Sequence, residues 1–127
     1  MSQYSFNDAI RPDLISDQVY EHEVARNCLM PMGITSENVA AKYGVTREEQ
    51  DEFAAESQRR ACEAQKNGLL PGEVTPVKTI LLNKDGNEQE IVVKNDEGMR
   101  EGTTAAKLAK LKPAFQKGGS TTAGNSS

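Results

Sequence analysis

Charge and spacing point to a ligand at one end of this sequence. Between Met99 and Ser127, Arg100, Lys107, Lys110, Lys112 and Lys117 are set against Glu101 alone, on a chain whose net charge is -4. Lys107 and Lys110 lie three apart and so share a helix face, while Arg100 precedes that helix with a planar fork suited to a phosphate. A nucleotide-like or CoA-like anion fits. The same spacing also describes lysines that keep a short exposed helix soluble, and spacing alone leaves both readings open.

Other chemistry is poorly supported by the residue types. Cys28 and Cys62 are too few and too far apart for a disulfide framework or a zinc site, and read as buried or idle thiols. His22 is the only histidine; Glu21 and Glu23 beside it point to different sides of a helix, so it reads as a surface residue and not a metal ligand. No cysteine, histidine and carboxylate set suggests a nucleophilic apparatus. The acidic group Glu48, Glu49, Asp51 and Glu52 reads as compensation of a helix dipole, and Met30 and Met32 around Pro31 read as core filler. Gly118 to Ser127 lacks the lysine of a phosphate loop and reads as a flexible linker or tail, although Gly124 permits a close backbone approach.

The elements that would carry these groups give an α+β class: a mostly helical chain with a small hairpin. The best defined runs from Thr46 to Gly68. Thr46 and Glu49 form a capping-box pair, acidic residues come first and basic ones last, and Gly68 supplies a left-handed stop. Its inward stripe is thin: Phe53, Ala54, Ser57, Ala61 and Ala64. Ahead of it, 17–29 reads as a helix capped by Asp17, and a second short helix capped by Thr35 or Ser36 closes at Gly44. The tight joint Gly44-Val45-Thr46 favours antiparallel or crossed packing of the two neighbouring helices. Glu73 to Leu82 and Glu90 to Lys94 read as strands around the Asp85-Gly86 turn, and Thr103 or Thr104 opens a third short helix that Pro113 ends.

Hydrophobic residues make up 36% and aromatic ones 5% of 127 residues, enough for a modest core and little more. The chain is expected to be marginal alone or to rest on a larger body. Acidity argues against a general nucleic-acid binder, no apolar run approaches a membrane span, and the opening residues lack a secretory pattern, which together suggest an intracellular or organelle-matrix chain.

The segments MGITSENVA, REEQDEFA, LAKLKPAF and TAGNSS, in that order and at these spacings, resemble the middle of a thiolase. The likeness covers nearly the whole chain and is greatest to peroxisomal 3-ketoacyl-CoA thiolases. It implies that residues 1–127 are the loop domain that covers the active site, with 1–16 a loop, 17–68 helical, 73–94 a hairpin and 99–127 the basic segment that contacts CoA. The family's CoA contacts carry over to Met32, Arg100, Lys107, Leu111, Ala123 and Ser127. Arg100 falls near the nucleotide, Leu111 is an apolar contact, and Ala123 and Ser127 lie along the pantetheine arm; Lys107 stands where some relatives have serine. The resemblance thereby favours the anion reading of the basic end.

It also implies what is absent. The nucleophilic cysteine of a thiolase lies upstream of this domain and the base histidine, second cysteine and asparagine-glutamate segment downstream, so Cys28 and Cys62 take no catalytic role. The chain is expected to be a fragment of a homodimeric peroxisome-matrix enzyme that uses CoA and acyl-CoA as substrates, without a permanent cofactor or metal. Its partner is then the remainder of the thiolase fold. Two other roles stay open: a stand-alone CoA-binding or protein-interaction module, and an assembly element that binds no CoA.

Overall fold

The computed structural model describes residues 14–70 and 72–126. Most of the loop expected over 1–16 therefore lies outside the described residues. In chain order the elements are α1 (Asp17–Glu21), α2 (Glu23–Arg26), a 3-10 turn (Asn27–Leu29), α3 (Met32–Tyr43), α4 (Arg47–Lys66), β1 (Val77–Leu82), β2 (Glu88–Val93) and α5 (Ala105–Leu108). The two strands form one antiparallel hairpin, so the class is α+β and helix-rich.

The long helix starts where its sequence says it should. The Thr46 backbone N–H donates to Glu49 Oε2 at 2.8 Å and the Glu49 N–H donates to Thr46 Oγ1 at 3.2 Å, closing both halves of the capping box. At the far end Gly68 takes φ 72, a left-handed conformation, and Leu69 N–H donates back to Ala64. Arg59 and Arg60 bridge to Glu56, and Arg59 to Glu63, along the outer face.

Several other expectations need correction. Residues 17–29 do not form one helix: His22 is extended, at φ -87 and ψ 117, and separates α1 from α2 while its ring accepts from Ala25 N–H. Neither helix buries a residue, so no packed face holds the two turns in line. The N-cap of α1 is Ser16, not Asp17, and it makes no side-chain bond. Helix α3 begins at Met32 after Pro31, three to four residues before the expected caps, because the Pro31 carbonyl already receives Ile34 and Thr35 N–H. Met30 and Met32 are both exposed and fill no core among the described residues.

The inward stripe of α4 is rotated from the one expected. Phe53 is 78% exposed and Ser57 is exposed, whereas Asp51 and Ala54 are the buried residues of this helix. A charged side chain had displaced the aromatic one, which hydrophobic periodicity cannot register. Helices α3 and α4 also do not pack on one another. The segment 113–126 lies between them instead. Only Ala40, Ala54 and Leu108 are buried apolar residues among those described, and they share the interior with Glu37, Asp51, Thr121 and Thr122.

Helix α5 is shorter than expected, ending at Leu108, with Thr104 as its cap; its hydroxyl accepts from Lys107 N–H. Lys110 therefore falls beyond the helix, and the shared helix face with Lys107 is not formed. The hairpin pairs Val77 with Val93 through Leu82 with Glu88, turning at Gly86 with φ 80. Asn83 Oδ1 ties the turn by accepting from Asp85 and Asn87 N–H. The hairpin packs on no other described element and exposes Val77, Ile80, Leu81, Leu82, Val92 and Val93.

Candidate functional site

The segment that reads from sequence as a flexible tail is the most deeply buried part of the described chain. Thr121 is 1% exposed and Thr122 0%. Small residues make this possible, because a side chain at Gly119 would strike the Glu37 carboxylate and one at Gly124 would come within 2.6 Å of Leu108 and 2.5 Å of Leu111. Composition suggested solvent; the hydrogen bonds explain the reverse.

Glu37 on α3 receives the segment from one side. Its Oε1 accepts from Thr121 N–H at 2.8 Å and its Oε2 from Ser120 N–H at 2.9 Å and Ser120 Oγ at 3.1 Å. Ser36 Oγ and Thr121 Oγ1 share a further bond of 2.9 Å. Burial pushes the Glu37 carboxyl up, but the amides and hydroxyls of Ser120 and Thr121 outweigh it and hold the group below its ordinary 4.5. The carboxylate is thus a charged receptor for two successive backbone amides.

Helix α4 holds the other side. Asp51, 2% exposed, accepts from Arg47 Nε at 2.8 Å and from Asn125 Nδ2 at 2.8 Å. Arg47 Nη2 also donates to the Leu108 and Leu111 carbonyls, at 2.8 and 3.0 Å, which fixes the end of α5. Asn125 Oδ1 accepts from Thr122 N–H at 2.7 Å, and Gln50 Nε2 donates to Ser120 Oγ at 2.8 Å. Among the described residues no buried side-chain polar atom lacks a partner. A polar interior this complete specifies one arrangement of the segment, since each lost partner would strand another group.

The expected contact residues fall into three places. Lys107 donates from Nζ to the Gly102 carbonyl at 2.6 Å, and Arg100 and Gly102 line one recess of about 390 Å³ with Gln58, Cys62 and Lys66. Within that recess Lys66 is paired with Glu101, which lowers the Glu101 carboxyl below its ordinary value. Leu111 lies against Gly124, beside the exposed Ala123. Met32, 88% exposed, stands apart at an apolar recess of about 680 Å³ shared with Val39, Val45, Phe53 and Asn125. Ser127 lies outside the described residues. The structure thus places Arg100 and Lys107 on either side of Gly102 in sequence without a bond between them, and sets Leu111 against the Ala123 turn.

Glu37, Arg47, Asp51 and Asn125 escaped sequence reasoning. A signal existed: Arg47 and Asp51 are four apart on a helix, and Gly33, Glu37 and Ala40 form a four-then-three stripe that α3 buries. His22 and Cys28 are exposed and Cys62 is half-buried; no cluster of three metal-ligating residues occurs among the described residues.

A family model described as the N-terminal domain of thiolase matches residues 1–127. The chain belongs to the thiolase N-terminal domain family. Among its relatives, the mouse (Mus musculus) peroxisomal 3-ketoacyl-CoA thiolase B is 57% identical over 113 residues, which are 89% of this chain and 27% of that protein. The human (Homo sapiens) peroxisomal 3-ketoacyl-CoA thiolase is 52% identical over 97% of this chain and 29% of its own length. The crystal structure of the dimeric peroxisomal thiolase of Saccharomyces cerevisiae superposes with a TM-score of 0.75 at 41% identity, over 91% of this chain and 28% of that one. This thiolase segment therefore spans between a quarter and a third of the length of those relatives. No helix among the described residues is long and apolar enough to cross a membrane.

Proposed function

We propose that this chain is the loop domain of a 3-ketoacyl-CoA thiolase, the part that grips CoA and covers the catalytic pocket. The supporting observation is the 57% identity to a peroxisomal 3-ketoacyl-CoA thiolase across 89% of the chain. In this reading residues 1–127 form one loop domain, with Arg100 and Lys107 toward the nucleotide, Leu111 as an apolar contact, Met32 at the rim, and Ala123 and Ser127 along the pantetheine arm. The division is compatible with the geometry: Arg100 lines the recess that Gly102 also lines, Lys107 bonds the Gly102 carbonyl, and Leu111 meets the turn that exposes Ala123.

The complete enzyme in this reading is a homodimer of the peroxisome matrix that uses CoA thioesters without a permanent cofactor. A cysteine thiolate outside residues 1–127 attacks the 3-keto carbonyl, the C2–C3 bond breaks, the C2 carbanion takes a proton and departs as acetyl-CoA, and a second CoA, losing its thiol proton, takes the shortened acyl group and restores the cysteine thiolate. Residues 1–127 bind and enclose; they carry no reacting atom. The exposed apolar groups on α3, α4 and the hairpin suit a body laid on the remaining fold.

The test is a chimera in which residues 1–127 replace the matching segment of the mouse enzyme, assayed for thiolytic cleavage. Activity that falls when Arg100→Ala raises the KM for CoA supports the reading. A folded dimeric chimera that binds no CoA would refute it.

A further inference from the structure

The Thr122 to Ser126 turn is held from both sides, yet it exposes Ala123. Thr121 and Thr122 are fully enclosed; Ser126 N–H donates to the Thr122 carbonyl at 3.1 Å and Gly124 N–H to Thr122 Oγ1 at 3.2 Å, which closes the turn. Ala123 is therefore carried on a rigid loop whose conformation depends on two anchors, Glu37 through the Ser120 and Thr121 amides and Asn125 through Asp51. Glu37 is not exposed as a ligand group would be and spends both oxygens on the segment, and Asn125, half-buried, spends its amide on Thr122, Asp51 and Ser120.

We infer that Glu37 and Asn125 are positioning residues that set the Ala123 turn against the pantetheine arm of CoA, and so govern affinity for the arm and not for the nucleotide. This rests on the CoA reading given above. The chemistry is specific to an ionised carboxylate. Both of its oxygens accept, with the Ser120 N–H shared between them at 3.0 and 2.9 Å; a glutamine would set an N–H group against a backbone N–H donor and leave a single oxygen for both amides. Asn125 has the complementary property of accepting from Thr122 N–H while donating to Asp51 and to the Ser120 carbonyl at 3.0 Å. Aspartate at 125 could not donate, and alanine could do neither.

The experiment compares two probes on the chimera that carries residues 1–127 in the mouse enzyme: CoA, and adenosine 3′,5′-bisphosphate, which keeps the nucleotide and lacks the arm. Affinities are measured by calorimetry for the unmodified chimera and its Glu37→Gln variant, and amide exchange is followed at Ser120 and Thr121. Glu37→Gln is expected to speed exchange at those two amides and to weaken CoA by about tenfold, while the bisphosphate changes by less than about twofold. Should Glu37→Gln not fold, Ser36→Ala removes only the hydroxyl bond to Thr121, and is expected to weaken CoA by about twofold to threefold with the bisphosphate unchanged. Equal weakening of both probes, or unaltered CoA affinity, would overturn the positioning role while leaving the CoA reading standing. Failure of the folded, dimeric chimera to bind either probe would remove that reading, and this inference with it.

Discussion

Asn125 donates from Nδ2 to Asp51 Oδ1 at 2.8 Å across 74 positions of sequence. The bond joins the second turn of α4 to the last described residues, and Asp51 is fixed in turn by Arg47. Removing the amide leaves an enclosed carboxylate oxygen and the Thr122 N–H without partners. Asn125→Ala is expected to lower stability by about 2 kcal/mol, read as a fall in the urea midpoint at unchanged slope. A change under about 0.5 kcal/mol would show that the polar interior is not what holds the segment.

Glu37 gives the chain an acid-sensitive joint. Because its carboxyl is held below the ordinary 4.5, the folded state favours the ionised form more than the unfolded state does. That stabilisation is present above the ordinary value and is lost as pH falls through the lowered one. Melting temperature should therefore drop below about pH 4.5 in the unmodified chain, and the drop should be shallower in Glu37→Gln. Parallel acid limbs in the two proteins would assign the sensitivity to other carboxylates.

The small apolar interior makes a contrasting pair of substitutions informative. Leu108 is buried beneath Gly124, and Leu108→Ala is expected to cost about 2–3 kcal/mol. Phe53, larger but open to water, should tolerate serine within about 0.5 kcal/mol in this chain. Denaturant titration of both decides which residue belongs to the core.

Local chemistry should register separately. Thr46→Ala removes the hydroxyl that accepts from Glu49 N–H, and about 1 kcal/mol of stability is expected to go with it. Hydrogen exchange should rise first in the opening turn of α4. Unchanged protection there would contradict the cap.

How far the sequence could be read follows from where the information sits. The capping box, the Gly68 stop and the hairpin turn at Asp85 and Gly86 are local chemistry, and each is legible from neighbours within a few residues. The stripe of α4 was misjudged because burial there is decided by partners far along the chain: Asp51 turns inward for Asn125, and Phe53 is left outside. The glycine-rich end misled for the same reason. Its small polar residues look solvated until Glu37, 83 residues away, supplies the acceptor for Ser120 N–H. The anchors Glu37 and Asn125 are visible only in three dimensions, because Ser120 and Asp51, which they bond, lie 83 and 74 positions away.

The most direct test of the account is a calorimetric titration of CoA into the chimera that carries residues 1–127 in the mouse enzyme, and into its Arg100→Ala variant. Saturable binding by the chimera, weakened by about tenfold in the variant through loss of a charge-assisted contact to phosphate, is the predicted result. Binding that is indifferent to Arg100, or no CoA binding by the folded chimera, would contradict it.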